Sequence, residues 1–215
     1  DLRHGTTIGI AHAFAAWIHY QRGEGEAAVR YAERVISTAG SHGLASHLEG
    51  AMVICHAISD RRLNTKVLDD LHRRVKSSAL SASRTAFSLC ILAALCAEAG
   101  DMEQGRSVLA AIDENVRRYF CAPEILRIEG ELMLNSAESG ASEAERRFRD
   151  AIVLARSREA KSFELRAATS LARLLYDQGR REEAHVALAG VYGWFTEGFD
   201  TADLKAAKEL LQALS

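Results

Sequence analysis

Helix breaks recur along this chain at an interval close to 39 residues, and a steady interval of that size restricts it to arrays of one repeated supersecondary unit. Five similar segments begin near Thr6, Gly43, Ala82, Ala122 and Lys161, and a last helix opens near Asp200, so the successive steps are 37, 39, 40, 39 and 39 residues. Each segment also has an internal break, at Gly23, near Asp60, at Gly100, at Gly140 and at Gly179. Glycine after a helical run supplies the left-handed conformation that ends a helix, and small and acidic residues that follow suit the first turn of the next. Each unit therefore reads as helix, tight turn, helix. The second unit departs from the pattern, with Ser59-Asp60 where the others carry glycine.

The second helices share a small residue just after the turn and a large apolar one four positions on: Ala27 with Tyr31, Gly105 with Leu109, Ala144 with Phe148, Ala184 with Leu188. In three units a further apolar residue follows, Ile112, Ala151 and Val191. The small side chain lets two antiparallel helices approach, and the large one fills the groove against a neighbouring pair. This is a tetratricopeptide-type pattern, and it predicts an all-α fold: a tetratricopeptide-like α-solenoid of about five helix-turn-helix pairs with a C-terminal capping helix. The expected domain is single, 1-215, with units near 6-42, 43-81, 82-121, 122-160 and 161-199 and a capping helix over 200-215. First helices would form a concave face and second helices a convex one.

Composition supports helices and narrows the partners. The chain has one proline, Pro123, and is rich in Ala, Leu, Glu and Arg, the residues that lose least entropy in a helix. Its 27 Lys and Arg against 29 Asp and Glu create no overall basic field, so no direct nucleic-acid partner is expected. No apolar run reaches the roughly 18 residues that would span a bilayer. No membrane partner is expected either. Cys55, Cys90, Cys96 and Cys121 lack C-x-x-C spacing and sit in apolar stretches, which reads as reduced thiols in a cytoplasmic protein. The opening "DLRHGTTIG" carries no initiator methionine or signal-peptide pattern, and reads as a point within a longer polypeptide.

Few constellations suggest chemistry. His12 and His19 lie seven apart on one helical face near Trp17, but a metal needs a third ligand that no adjacent segment supplies, so they read as packing or surface histidines. Cys55-His56 point to different sides of a helix, and Cys90 and Cys96 also diverge. Glu124, Arg127 and Glu131 stand at helical spacing, where an arginine between two carboxylates makes an ion-pair ladder more than an acid-base pair. The basic stretch from "ERRFRD" to Lys161 is interleaved with Glu and Asp and reads as a mixed solvated face. There is no glycine-rich phosphate loop, no G-x-S-x-G and no H-E-x-x-H. Hence no catalytic residue, no cofactor and no metal is assigned, and enzymatic activity is not expected. Trp17, Glu124, Arg127 and Arg166 are the candidates for contacts in the concave groove.

The stretch "YGWFTEGFDTADLKAAKELL" concentrates Trp194, Phe195 and Phe199 between glycines. Here Asp200 is the expected N-cap, with Asp203 in the first turn and Phe199 packing on Leu204 as a hydrophobic staple. Leu204, Ala207, Leu211 and Leu214, joined by Leu210, form the stripe that would cover the last repeat. Trp194 and Phe195 would fill the space between the fifth pair and this closing helix, with Gly193 and Gly198 permitting the bend.

The residues "ELRAATSLARL", "DQGR", "YGWFTEGFDT" and "DLKAAKELL", with weaker echoes in "HGL", "CAEAGDMEQG" and "APEILRIEGELML", resemble the C-terminal helical-repeat region of large bacterial signalling proteins. Those proteins join a STAND or AAA ATPase core to a tetratricopeptide-like tail and an adenylate/guanylate cyclase or winged-helix transcription-regulator domain. The resemblance implies a protein-interaction and sensing module that regulates an effector elsewhere in its chain, with a protein partner or the parent's ATPase or effector domains as its contact. A second implied reading is a small-molecule inducer sensor. The family's nucleotide-binding residues would lie upstream, so none is carried over.

Overall fold

A computed structural model describes residues 5–39, 50–55, 58, 69–70, 73, 82–112, 121–134 and 140–215. Among them every regular element is helical and there is no strand: α1 (Gly5–Gln21), α2 (Gly25–Ala39), α3 (Ala82–Ala99), α4 (Met102–Ala110), α5 (Ala122–Leu134), α6 (Gly140–Ser157), α7 (Lys161–Asp177), α8 (Arg181–Tyr192) and α9 (Ala202–Leu214), with helical residues also at 50–55. The chain divides into two compact units, Asp1–Tyr119 and Phe120–Ser215. In the first, α1 packs on α2 and α3 on α4. In the second, each helix packs on the next, and α5 also meets α7 as α7 meets α9.

Three turns are built alike. Gly23, Gly100 and Gly179 have φ of 73°, 79° and 76°. Each glycine N–H reaches back three residues, to Tyr20, Ala97 and Tyr176, and the next N–H reaches back five, to His19, Cys96 and Leu175. These two bonds satisfy carbonyls that a helix end would otherwise leave open. The residue after the glycine already accepts the first bond of the following helix: Glu24 from Ala28, Asp101 from Gly105, Arg180 from Ala184. The helix therefore stops and restarts within about two residues. Asp101 adds a side-chain cap, accepting from the Gln104 N–H at 3.1 Å. The turn from α6 to α7 has the same bonds, Glu159 N–H to Arg156 and Ala160 N–H to Ala155, but places a glutamate in the left-handed region at φ 56°.

Gly140 behaves differently from its expected role. It is the first residue of α6 and is buried, so it opens the second helix and does not end the first. Asp60, the remaining expected break, and Gly43 lie outside the described residues.

Small residues are buried at matching places in the helix pairs. Ala16, Ala93 and Ala172 each precede the small residue of the following helix, Ala28, Gly105 and Ala184, by twelve positions, and all six are buried. In α5, Gly130 meets the second helix of its pair directly: a Cβ there would lie 2.5 Å from Phe148 Cε1. Phe148 is fully buried, as are Ala144 and Ala151 on the same helix. A ring this large fits against α5 only because α5 offers bare backbone at that point. The register in α2 corrects the sequence reading by one residue. Ala28, Ala32 and Val35 are the buried series, not Ala27 and Tyr31. Tyr31 instead stands half-buried beside the seam, stacked on His19 at 5.2 Å and tilted against His12 at 5.8 Å.

The C-terminal helix also starts later than expected. Its N-cap is Thr201, not Asp200, and the Thr201 hydroxyl donates to the Gly198 carbonyl at 2.7 Å. Gly198, at φ 76°, turns the chain there. Phe199 lies too far ahead of the cap to form the expected staple: it is half exposed and its ring meets Tyr192 at 5.9 Å. Leu204, Ala207 and Leu214 are buried in the C-terminal core, and Phe195, Leu210 and Leu211 pack against it. Trp194 sits outside that core, 58% exposed, with its ring edge-on to Phe195 at 5.2 Å. Arg181 on α8 donates to the Ala213 carbonyl, tying down the end of α9.

The shared turn geometry yields a specific expectation at its exception. A left-handed conformation costs a non-glycine residue about 1–2 kcal/mol, so Glu159→Gly should stabilise the chain by about 1 kcal/mol and raise Tm by about 2–4 °C. Differential scanning calorimetry checks this. An unchanged or lower Tm would mean that Glu159 is not held in that conformation.

Candidate functional site

The spacing of Glu124, Arg127 and Glu131 places all three on one side of α5, one turn apart. Arg127 grips both carboxylate oxygens of Glu124, at 3.1 Å from Nε and 2.8 Å from Nη2, and reaches Glu131 with Nη1 at 3.3 Å. The ladder does not end at α5. Ser170 on α7 donates to Glu131 at 2.6 Å, and Arg166 on α7 stands 3.9 Å from Glu124. Arg166 also donates from Nε to Asp203 on α9 at 2.7 Å. One polar network thus crosses α5, α7 and α9, joining residues up to 79 positions apart in sequence.

The network is well screened from solvent. The Glu124, Arg166 and Arg127 side chains keep only 11%, 14% and 18% of their exposure, while Glu131 and Asp203 form a wetter rim at about 30%. Burial pushes the Glu124 carboxyl up, but the guanidinium charges of Arg127 and Arg166 and the Arg127 hydrogen bonds outweigh it and hold the carboxyl below its usual range. Burial likewise opposes the charge on Arg127, and Glu124, Glu131 and Asp203 overcome it. Both partners stay ionised. A carboxylate held this firmly in its charged form is poorly suited to delivering a proton, whereas fixed charges at a half-wet rim are suited to binding.

A second buried carboxylate lies near the start of α7. Glu164 is 1% exposed, accepts from Arg156 Nε at 2.9 Å and Lys161 Nζ at 2.7 Å, and is held below its usual range because those bonds outweigh its burial. The Lys161 ammonium also stands 5.5 Å above the Trp194 ring. On the second helices, Arg180 bridges Glu145 and Glu183, both at 2.7 Å.

Of the residues proposed for groove contacts, Glu124, Arg127 and Arg166 come together. Trp17 belongs to the N-terminal unit, half-buried on α1. Sequence reasoning missed Ser170, Asp203 and Glu164 as members of polar clusters. Asp203 and Glu164 both stand in the first turn of a helix, where an acidic residue already has a sufficient reason to be, so neither signalled a tertiary partner. His12 and His19 flank Tyr31, and His19 Nδ1 pairs with Glu24; among the described residues no group of His, Cys, Asp or Glu could hold a metal ion. Cys90, Cys96 and Cys121 are buried, and burial, then the charges of Asp101 and Asp69, push the Cys96 thiol up to about 12. No helix among the described residues is long and apolar enough to cross a membrane. The chain matches no family model, no curated protein and no solved structure.

The network sets a pH-dependent part of stability. Glu124 is depressed in the folded state, so its contribution is complete above the unfolded carboxyl value of about 4.3 and disappears as pH falls through the lower folded value. Arg166→Ala should cost about 3 kcal/mol at neutral pH, since it strips one cation from two carboxylates. It should also flatten the loss of stability below about pH 4, because Glu124 is then less depressed. Urea titrations across pH 3 to 7 test both. A parallel pair of stability curves would show that Arg166 does not act through these carboxylates.

Proposed function

We propose that this chain is a tetratricopeptide-like α-solenoid that works as a protein-interaction and regulatory module, with no catalysis of its own. The observation that carries the reading is the network joining Glu124, Arg127, Glu131, Arg166 and Asp203 across the first helices α5 and α7 and the C-terminal helix α9. In such an architecture first helices line one face, and fixed, alternating charges along it can orient an incoming segment without having to be reorganised on binding. Glu131 and Asp203 at the rim are the groups placed to meet a partner, while Arg127 and Arg166 hold them. The partner is a protein segment, or the effector domain of a longer parent chain of the signalling type that the C-terminal motifs resemble. Small changes in the angle between helix pairs would bias that effector between states.

The second helices supply a control surface. Val153 on α6 and Val186 on α8 are 66% and 71% exposed. In the native polypeptide, the pair Glu131→Ala and Asp203→Ala should abolish regulation of its output, while Val153→Glu with Val186→Glu leaves it intact, both folded by circular dichroism. Equal effects from the two pairs would refute a role for the first-helix face. A thermal-shift series with nucleotides, sugars and amino acids addresses the inducer alternative: stabilisation of several degrees by one compound would favour a small-molecule sensor.

A further inference from the structure

The N-terminal helix α1 carries an apolar face that is open. Ile8, Phe14 and Ile18 are 43%, 56% and 49% exposed, and Ala11, on the same stripe, is exposed too. The common turn geometry fixes which residues of other helices correspond. Aligning Gly23 with Gly100 and Gly179 aligns Ala11, Phe14 and Ile18 with Ser88, Ile91 and Leu95 of α3 and with Ala167, Ser170 and Leu174 of α7. All six of those residues are 7% exposed or less. The stripe is therefore buried in α3 and α7 and open in α1.

What covers it elsewhere is visible. In α3, the helical residue Gly50 abuts Ser88: a Cβ on it would stand 3.1 Å from the Ser88 hydroxyl. In α7, α5 and α6 lie over the stripe, with Glu131 bonded to Ser170 and Arg156 bonded to Glu164, the residue that corresponds to Ile8. Both covers precede the covered helix in sequence. We infer that the Ile8, Ala11, Phe14, Ile18 face of α1 docks a further antiparallel helix pair, supplied by polypeptide preceding α1. Its chemistry differs from the cover of α7 at two places. Where α7 presents Glu164 and Ser170 to an arginine and a glutamate, α1 presents Ile8 and Phe14, so the docking pair carries apolar side chains there in place of Arg and Glu.

The inference rests on the repeat reading proposed above. The test is thiol labelling by a maleimide of Phe14→Cys and of Ser170→Cys, in the 215-residue chain and in the native polypeptide with the residues that precede Asp1, over the background of the unsubstituted cysteines. In the shorter chain Phe14→Cys should label rapidly and Ser170→Cys slowly. In the longer one Phe14→Cys should slow by about tenfold or more. Equal rates for Phe14→Cys in the two, or a native product without preceding residues, would overturn the inference while leaving the repeat reading intact. Protection of Phe14→Cys in the shorter chain that rises with concentration would overturn it in favour of a second copy. Rapid labelling of Ser170→Cys in the folded chain would defeat the repeat register itself.

Discussion

Close approach of two helices at a small-residue seam is the contact on which the rest of the structure depends. Ala16 and Ala28, Ala93 and Gly105, and Ala172 and Ala184 are buried at matching places in their helix pairs, and the residue one turn beyond varies from Ala32 to Leu109, Leu188 and Phe148. The largest of these side chains, Phe148, faces the smallest possible neighbour, Gly130. Backbones brought this near to each other need an abrupt reversal between helices, which the glycines at positive φ supply with two backbone bonds each.

Once the pairs close, their remaining faces acquire distinct characters. First helices α5 and α7 bring carboxylates and guanidinium groups into reach of one another, and α9 completes the set with Asp203. α9 turns Leu204, Ala207 and Leu214 inward and leaves Lys205, Lys208, Glu209 and Gln212 to solvent, so its apolar stripe is buried and its outer face is polar. α1 carries the opposite assignment, with Ile8, Phe14 and Ile18 outward.

Much of this was legible in the sequence because it depends on local chemistry. The glycine turns at Gly23, Gly100 and Gly179 and the small-to-large series in α4, α6 and α8 follow from residue type and helical spacing alone. Three features resisted for physical reasons. Ala32 is small where a large residue was sought, so the aromatic Tyr31 next to it drew the register one position off. Thr201 and Asp200 are comparable N-cap formers, and the choice between them rests on the turn made at Gly198. The Arg166 bridge to Asp203 links positions 37 apart, and nothing in helical periodicity points across that distance.

A double-mutant cycle on the α5–α6 seam reads the central constraint most directly. In an unobstructed helix interior Gly→Ala stabilises by about 1 kcal/mol through propensity. At Gly130 the new methyl meets the Phe148 ring, so Gly130→Ala should instead destabilise by about 1–3 kcal/mol, as overpacked cores do. In a Phe148→Leu background, where the smaller side chain leaves room for the methyl, the same substitution should become stabilising. That reversal of sign, measured by urea denaturation, is the result the account predicts. A Gly130→Ala chain more stable than the parent in both backgrounds would contradict it.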